Sequence, residues 1–343
     1  LSLVGSEMCI RDSQGSGWMW AWNNLEAQRV PTDFEGIVAG APVWSQTGNH
    51  PFFTHWGERV NIGNDGRTIL DAAKLPMIHD AVLAACDARD GLRDGIPQDP
   101  RQCDWNPQSI RCAAGVVRRI YEGARNSKGD LLYAGMARGS EDQWAGIWIS
   151  GGGQPVLLLG GPGFIANSLT AYMTFMRDGG PGYSVFRDFD YDRDPPWLAL
   201  IEGFFSPRQH DLRPFKAAGG KMLLWTGWND NNIPPAAAID YYETTTRTMG
   251  GTPETRDFFR MFLLPAVNHC SGGLAGSEVD WIGVLEDWVE RGSAPDAVLH
   301  HHPVAPVAML AAGSSHDPGT SYMVYGRHPL APGSFDRVRP ATY

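Results

Sequence analysis

No stretch of the chain approaches the roughly 18 consecutive apolar residues that a membrane-crossing helix needs, so no membrane partner is expected. Basic charge is scarce too. The sequence has 28 Lys and Arg against 38 Asp and Glu, a formal net charge of -10, and no basic stripe. Phosphate backbones are held by clustered cations, so this pattern excludes a nucleic-acid partner. Only five cysteines occur, at positions 9, 86, 103, 112 and 270, and they lack the paired spacing of a zinc site. Their odd number leaves at least one unpaired within the chain, and one or two disulfides would suit an oxidising compartment. Internal repeats and low-complexity tracts are also missing, which removes solenoids and propellers.

What is present is enough for a substantial core: 343 residues, 43% hydrophobic and only 19% charged. Residues 2-13, SLVGSEMCIRDS, read poorly as the opening of a domain and resemble a translated sequencing adapter, so 1-16 is expected to be a non-native leader. From Gly17 a helical pattern runs to a break at Pro31, with Trp20, Ala21 and Leu25 able to share an apolar side. A short buried strand follows at Gly36 to Ala39. Residues 70-86 again have helical spacing, at Leu75, Ile78 and Leu83, with Pro76 as a first-turn residue. The stretch 87-205 is punctuated by Gly and Pro turns and suits an insertion better than a continuing βα series.

Regular alternation returns with a strand at Lys221 to Thr226, a helix closed by Gly250, and a strand in RDFFRMFLLPAV. A last helix carries Ile282, Leu285 and Val289 on its buried side, with Gly292 just past its end. The expected fold is α/β, with residues 17-80 and 206-343 as two parts of one sheet domain and 81-205 inserted between them.

Two residues placed past strand ends carry the chemistry. Asp230 lies four residues beyond the KMLLWT strand, and His269 lies just beyond RMFLLPAV. A hydrolase needs an imidazole to take a hydroxyl proton and a carboxylate to fix its tautomer, in this chain order for α/β-hydrolases. An Asp after a strand is also a common helix cap, and either residue alone carries little. Elsewhere CDARDGLRDGI crowds Asp87, Asp90 and Asp94 into eight residues with Gly91 and Gly95 between them. The carboxylates repel unless a cation or donors sit among them, so a hard cation and a solvated turn both fit; an EF-hand does not.

Four segments together resemble the tannase and feruloyl esterase family of serine esterases. They are EAQRVPTDFEGIVAGAP at 26-42, CDARDGLRDGIPQDPRQC at 86-103, GGKMLLWTGWNDNNIPP at 219-235, and FRMFLLPAVNHCSGG with DWVERGSAP between 259 and 295. The resemblance implies a partial α/β-hydrolase sheet carrying a large inserted lid domain, with Asp230 as triad acid and His269 as base. It further implies a structural Ca2+ held by Asp87, Asp90 and Asp94 with the backbone carbonyls of Leu92 and Ile96, and a disulfide between Cys86 and Cys103. Export to a secreted or periplasmic location follows from the same resemblance, and the implied substrate is a small aromatic ester of feruloyl or galloyl type. Thr226 stands where family members often have His.

In the family a Cys-Ser-x-Gly-Gly elbow precedes the EAQR segment, and its Cys pairs with the one beside the catalytic His, here Cys270. Counting back without a gap from Pro31 places the nucleophile on Gly17 and that Cys on Ser16. Two serines remain candidates, Ser13 if about four residues are inserted and Ser16 if it is recruited, and absence of a nucleophile is the third reading. On this alignment Cys270 is expected to have lost its partner, and Cys112 has none assigned. Trp144, Trp148, Phe164 and Tyr183 are candidate pocket aromatics in the insertion. The alternative to an esterase is a non-catalytic, calcium-stabilised binding protein, or an inactive fragment of such an esterase.

Overall fold

A computed structural model describes residues 3-5, 20-110, 113-146, 148-149, 167-174, 180, 182-275, 277-301, 322-325, 327-328 and 331-332. Its centre is a four-stranded parallel sheet of β1 (Leu3–Gly5), β2 (Gly36–Gly40), β5 (Lys221–Gly227) and β6 (Phe259–Leu264), adjacent in that order. Two shorter strands, β3 (Ala124–Arg125) and β4 (Leu131–Tyr133), form an antiparallel hairpin between β2 and β5 in the chain. The residues of β2 are all buried, as are six of the seven in β5. Such continuous apolar runs are what a parallel sheet covered on its faces requires. The register is set by Gly36 opposite Lys221 and Met222 opposite Phe259. Leu3–Gly5, within the stretch expected as a leader, lies in parallel register with Gly36–Val38 as the edge strand.

Helices pack against this sheet. α1 (Trp20–Arg29) lies on β2 and ends two residues before Pro31, as its pattern suggests. After β2 the chain leaves the sheet and forms α2 (His55–Val60), α3 (Leu75–Cys86), α4 (Ala114–Glu122), α5 (Val185–Asp188) and α6 (Ala199–Phe205) before returning. Returning segments form α7 (Arg213–Ala217), α8 (Pro235–Thr248), α9 (Thr252–Arg256) and α10 (Trp281–Arg291). The last is capped by the Asp280 carboxylate, which accepts the Gly283 N–H at 2.9 Å, and closes on Gly292 at φ 68°.

Two helices bury faces slightly rotated from those expected. α10 buries Trp281, Leu285 and Trp288, while Ile282 and Val289 flank the contact half-buried. Trp281 stacks on Trp225 of β5 with centroids 5.5 Å apart and planes 3° from parallel, and that stack sets the rotation. α3 begins at Leu75 after a 3-10 turn and buries Leu75, Ile78, Val82 and Cys86, with Val82 rather than Leu83 inward.

The apolar interior divides in two. One cluster gathers the strands β2, β5 and β6 with α8 and α10; the other runs from Phe52 to Leu198 and includes Val82, Val117, Trp144 and Trp148. Residues from 52 onward therefore pack with the insertion's own core. Regular structure is short there, and a Cys86–Cys103 disulfide with Cα atoms 5.2 Å apart ties α3 to the following loop.

Candidate functional site

β5 and β6 are neighbours in the sheet, so the loops that leave their carboxyl ends meet. Backbone bonds bind the two loops together: Trp228 N–H donates to Leu264 O at 2.9 Å, and Asn229 N–H to Val267 O at 3.0 Å. Gly227 makes this approach possible, because a Cβ there would lie 2.1 Å from Val267 O. The register thereby brings Asp230 and His269, 39 residues apart in the chain, to a hydrogen bond of 2.9 Å between His269 Nδ1 and Asp230 Oδ2.

Asp230 is fully buried. Its Oδ1 accepts the backbone N–H groups of Asn232 at 2.9 Å and Ile233 at 2.8 Å, so the carboxylate caps the following turn with one oxygen and holds the imidazole with the other. Three donors on a buried carboxylate replace the water it has lost. Nδ1 of His269 is then the protonated nitrogen, as an ionised carboxylate only accepts, and Nε2 is left with its lone pair. Burial opposes charge on this ring, but the nearby charge of Asp230 and its hydrogen bond outweigh burial and raise the imidazole above its ordinary range.

Backbone strain surrounds His269. Ala266 has φ 49° and Cys270 φ 65°, left-handed values that cost a non-glycine residue about 1-2 kcal/mol each. A three-residue turn, Ser271 N–H to His269 O at 2.8 Å, forms around Cys270. Cys270 is disulfide-bonded, which corrects the expectation that its partner was lost. A gap-free count back from Pro31 found no cysteine at the family position, and such a count is blind to pairing across a changed spacing. Thr226, at the end of β5 and almost fully buried, has a hydroxyl without a hydrogen-bond partner among the described residues.

Ser13 and Ser16 fall in the chain between β1 and α1, and both lie outside the described residues, as do Cys9, Cys112 and Phe164. Trp144 and Trp148, at 0% and 1% exposure, are packed in the insertion's core, where Trp148 meets Phe53 edge-on at 4.6 Å. Tyr183 is half-buried against the same cluster. Periodicity cannot separate a pocket aromatic from a core one, because both surroundings are apolar.

Around the acidic loop, Asp87 Oδ1 accepts the N–H groups of Gly95 at 3.0 Å and Ile96 at 3.1 Å, and Asp94 Oδ1 shares the latter at 3.0 Å. Asp90 accepts from Leu92 at 2.9 Å and from Gln98 at 3.2 Å. Among the described residues no three acidic, His or Cys side chains are gathered as a ready cation cage. The donor chemistry nonetheless fits a hard cation. Burial raises the Asp94 carboxyl above its ordinary value, and the charges of Asp90 and Asp87 push the same way against the Ile96 hydrogen bond.

Other polar residues were not singled out by sequence. Glu141, fully buried in the insertion, accepts from Tyr121 O–H, from Gly139 N–H at 2.8 Å and from His79 Nδ1 at 3.1 Å. Glu202 accepts from Thr47 O–H at 2.5 Å, Ser206 O–H at 2.8 Å and Arg208 at 2.9 Å, joining the points where the chain leaves and rejoins the sheet domain. Glu202 also lines a cavity of about 930 Å3 with Gln28, Thr47, Phe52 and His210. Neither Asp230 nor His269 borders that cavity, so its size does not make it the site of the dyad's chemistry.

Among the described residues no helix is long and apolar enough to cross a membrane. The family described as Tannase and feruloyl esterase matches residues 24-305. An uncharacterized esterase of Xanthomonas campestris pv. campestris is 31% identical over 328 residues, covering 80% of this chain and 55% of that protein. A mono(2-hydroxyethyl) terephthalate hydrolase of Piscinibacter sakaiensis is 29% identical over 330 residues, covering 79% of this chain and 54% of that one. The chain thus spans about half the length of the curated relatives it matches. In fold it is similar to the crystal structure of an esterase from Aspergillus oryzae, with a TM-score of 0.72, 24% identity, and coverage of 82% of this chain and 59% of that one.

Proposed function

The chain belongs to the tannase and feruloyl esterase family, and from that premise we propose a carboxylic ester hydrolase acting on small aromatic esters, with Asp230 and His269 as two members of its triad. The observation that carries this reading is the 2.9 Å bond from His269 Nδ1 to a fully buried Asp230 at the carboxyl ends of adjacent parallel strands. Nε2 of His269 takes the proton of a serine hydroxyl as that oxygen attacks the ester carbonyl. Asp230 steadies the imidazolium that results. Collapse of the tetrahedral oxyanion releases the alcohol, which receives its proton from His269. Water, deprotonated by the same nitrogen, then releases the aromatic acid.

The nucleophile is assigned to the passage between β1 and α1, where Ser13 and Ser16 are the candidates. A strand followed by a helix is the setting that presents a nucleophilic hydroxyl at a helix start, near backbone donors for the oxyanion. Hydrolysis of a phenolic methyl ester by the chain, by His269→Ala and by Ser13→Ala and Ser16→Ala tests the assignment. Loss in the histidine variant and in one serine variant is expected. Equal low rates in all four would overturn the enzyme reading in favour of a non-catalytic protein.

Ca2+ is proposed for the loop of Asp87, Asp90 and Asp94, with Leu92 and Ile96 contributing carbonyl oxygens; the support is the oxygen-only donor set and the burial that, with the charges of Asp90 and Asp87, raises the Asp94 carboxyl. Its part is structural, bracing a segment that Cys86–Cys103 already closes. A thermal melt that stays put when a chelator is added would remove the metal from the account. Secretion or periplasmic export is proposed from the same disulfide, which suits an oxidising compartment.

A further inference from the structure

One polar contact reaches across from the insertion to the loop carrying the acid. Asn231, the residue after Asp230, donates from Nδ2 to the backbone carbonyl of Gln143 at 2.8 Å. Gln143 ends a 3-10 turn, Glu141–Gln143, that is itself fastened from three sides. Glu141 accepts from Tyr121 of α4, His79 of α3 and Gly139, and the Trp144 indole N–H donates to Ser140 at 3.1 Å. Glu141 and Trp144 are fully buried while Asp142 is exposed and Gln143 half-buried, so the turn lies at the rim of the insertion's core, anchored inward at both ends. The Gln143 carbonyl is therefore a fixed acceptor, and the side chain it holds is bonded in sequence to the acid.

We propose that Asn231 is a positioning residue through which the insertion holds the Asp230 loop in register with His269. The claim rests on reading Asp230 and His269 as orienter and base, and it gives the insertion a part in the triad's geometry. Asp230 already takes its two backbone donors from Asn232 and Ile233. Those amides keep their direction only if the 231-233 turn does, and Asn231 is the one side chain in that turn with a bond to the insertion among the described residues. Released from Gln143, the turn tilts, the carboxylate follows its amide donors, and the bond to His269 lengthens. Displacements near 1 Å at a catalytic group are enough to cost about two orders of magnitude in rate.

The test is a titration of the His269 imidazole by NMR in the unmodified chain, Asn231→Ala and Gln143→Ala, with exchange of the Asn232 and Ile233 amides measured in parallel. Among the described residues, Asp230 is the one charged group that acts on the His269 ring, so the midpoint reports their contact. Asn231→Ala is expected to lower the midpoint by about half a unit or more and to speed exchange of both amides. Gln143→Ala keeps the backbone acceptor and is expected to leave the midpoint in place. A midpoint and amide protection unchanged in Asn231→Ala would overturn the proposal. Should that variant fail to fold, Asn231→Ser, which removes the reach to Gln143 with less loss of polarity, is read in the same way. On an ester substrate, Asn231→Ala is expected to lower kcat about tenfold at unchanged KM. An absence of ester hydrolysis together with a shifted His269 midpoint would sink the esterase reading and leave the positioning role standing.

Discussion

The sheet domain and the insertion solve the same problem with different materials. The sheet is held by parallel strands whose side chains are nearly all buried, and its polar dyad occurs only where those strands end. The insertion has short helices and a two-stranded hairpin, and it relies on a disulfide, packed aromatics and carboxylates that have been taken out of water. Glu141 and Glu202 each gather several donors from distant parts of the chain, as a buried carboxylate must if its lost hydration is to be replaced. Strand pairing thus brings Asp230 and His269 together, while the insertion is held by buried carboxylates with their donors and by a disulfide.

The largest effect expected from breaking this contrast is on chemistry. Asp230→Asn keeps the volume but reverses the tautomer held at Nδ1, and ester hydrolysis is expected to fall on the order of 10^3 to 10^4-fold with folding retained, as checked by kcat and by circular dichroism. On stability, Phe262→Ala opens a cavity at a fully buried position of β6 and is expected to cost about 3-5 kcal/mol in denaturant unfolding, felt across the whole sheet. Reducing Cys86–Cys103 releases a loop with a sequence separation of 17 and is expected to cost about 3 kcal/mol, with faster amide exchange in α3 and 87-103 and little change in β5. Equal acceleration in β5 would show that the two regions do not melt separately.

The smallest effect concerns pH. Contact with Glu141, aided by the charges of Asp142 and Asp80, raises His79 above 6.5 against the opposing pull of burial, so its contribution is complete below 6.5 and fades as pH climbs through the raised value. Glu202 runs the other way: its donors outweigh burial and hold it below 4.5, so its contribution is present above 4.5 and fades as pH falls through the lowered value. A melt of the insertion is therefore expected to weaken at both ends of the pH range, and His79→Ala is expected to abolish the alkaline fading alone. An alkaline limb that persists in that variant would assign it elsewhere.

The strands β2, β5 and β6 were legible in the sequence because an unbroken apolar run between Gly and Pro has few other uses in a chain of this composition. Asp230 and His269 were legible because each follows such a run. Trp144 and Trp148 were not, since a core and a pocket ask for the same side chain. The face of α10 was misjudged by one position because Trp281 and Trp288 count weakly as apolar yet are the buried residues beside Leu285, with Ile282 and Val289 half-buried against the core. Glu141 was hidden for the opposite reason. In GSED it looks like part of a solvated acidic turn, and only the arrival of Tyr121 and His79 from two other helices makes it a buried hub.

Local spacing was therefore sufficient for the strands β2, β5 and β6 and for placing Asp230 and His269 past the ends of two of them, while the pairing of Cys86 with Cys103 came from the family resemblance alone. Those features depend on neighbours along the chain or on motifs that survive as short strings. The 2.9 Å contact between residues 39 apart, the turn strained around Cys270, and the tie from Asn231 to the insertion arise from the parallel register and from folding the long excursion back onto the acid loop. No periodicity encodes them, because each is a meeting of groups whose separation in sequence carries no information about their separation in space.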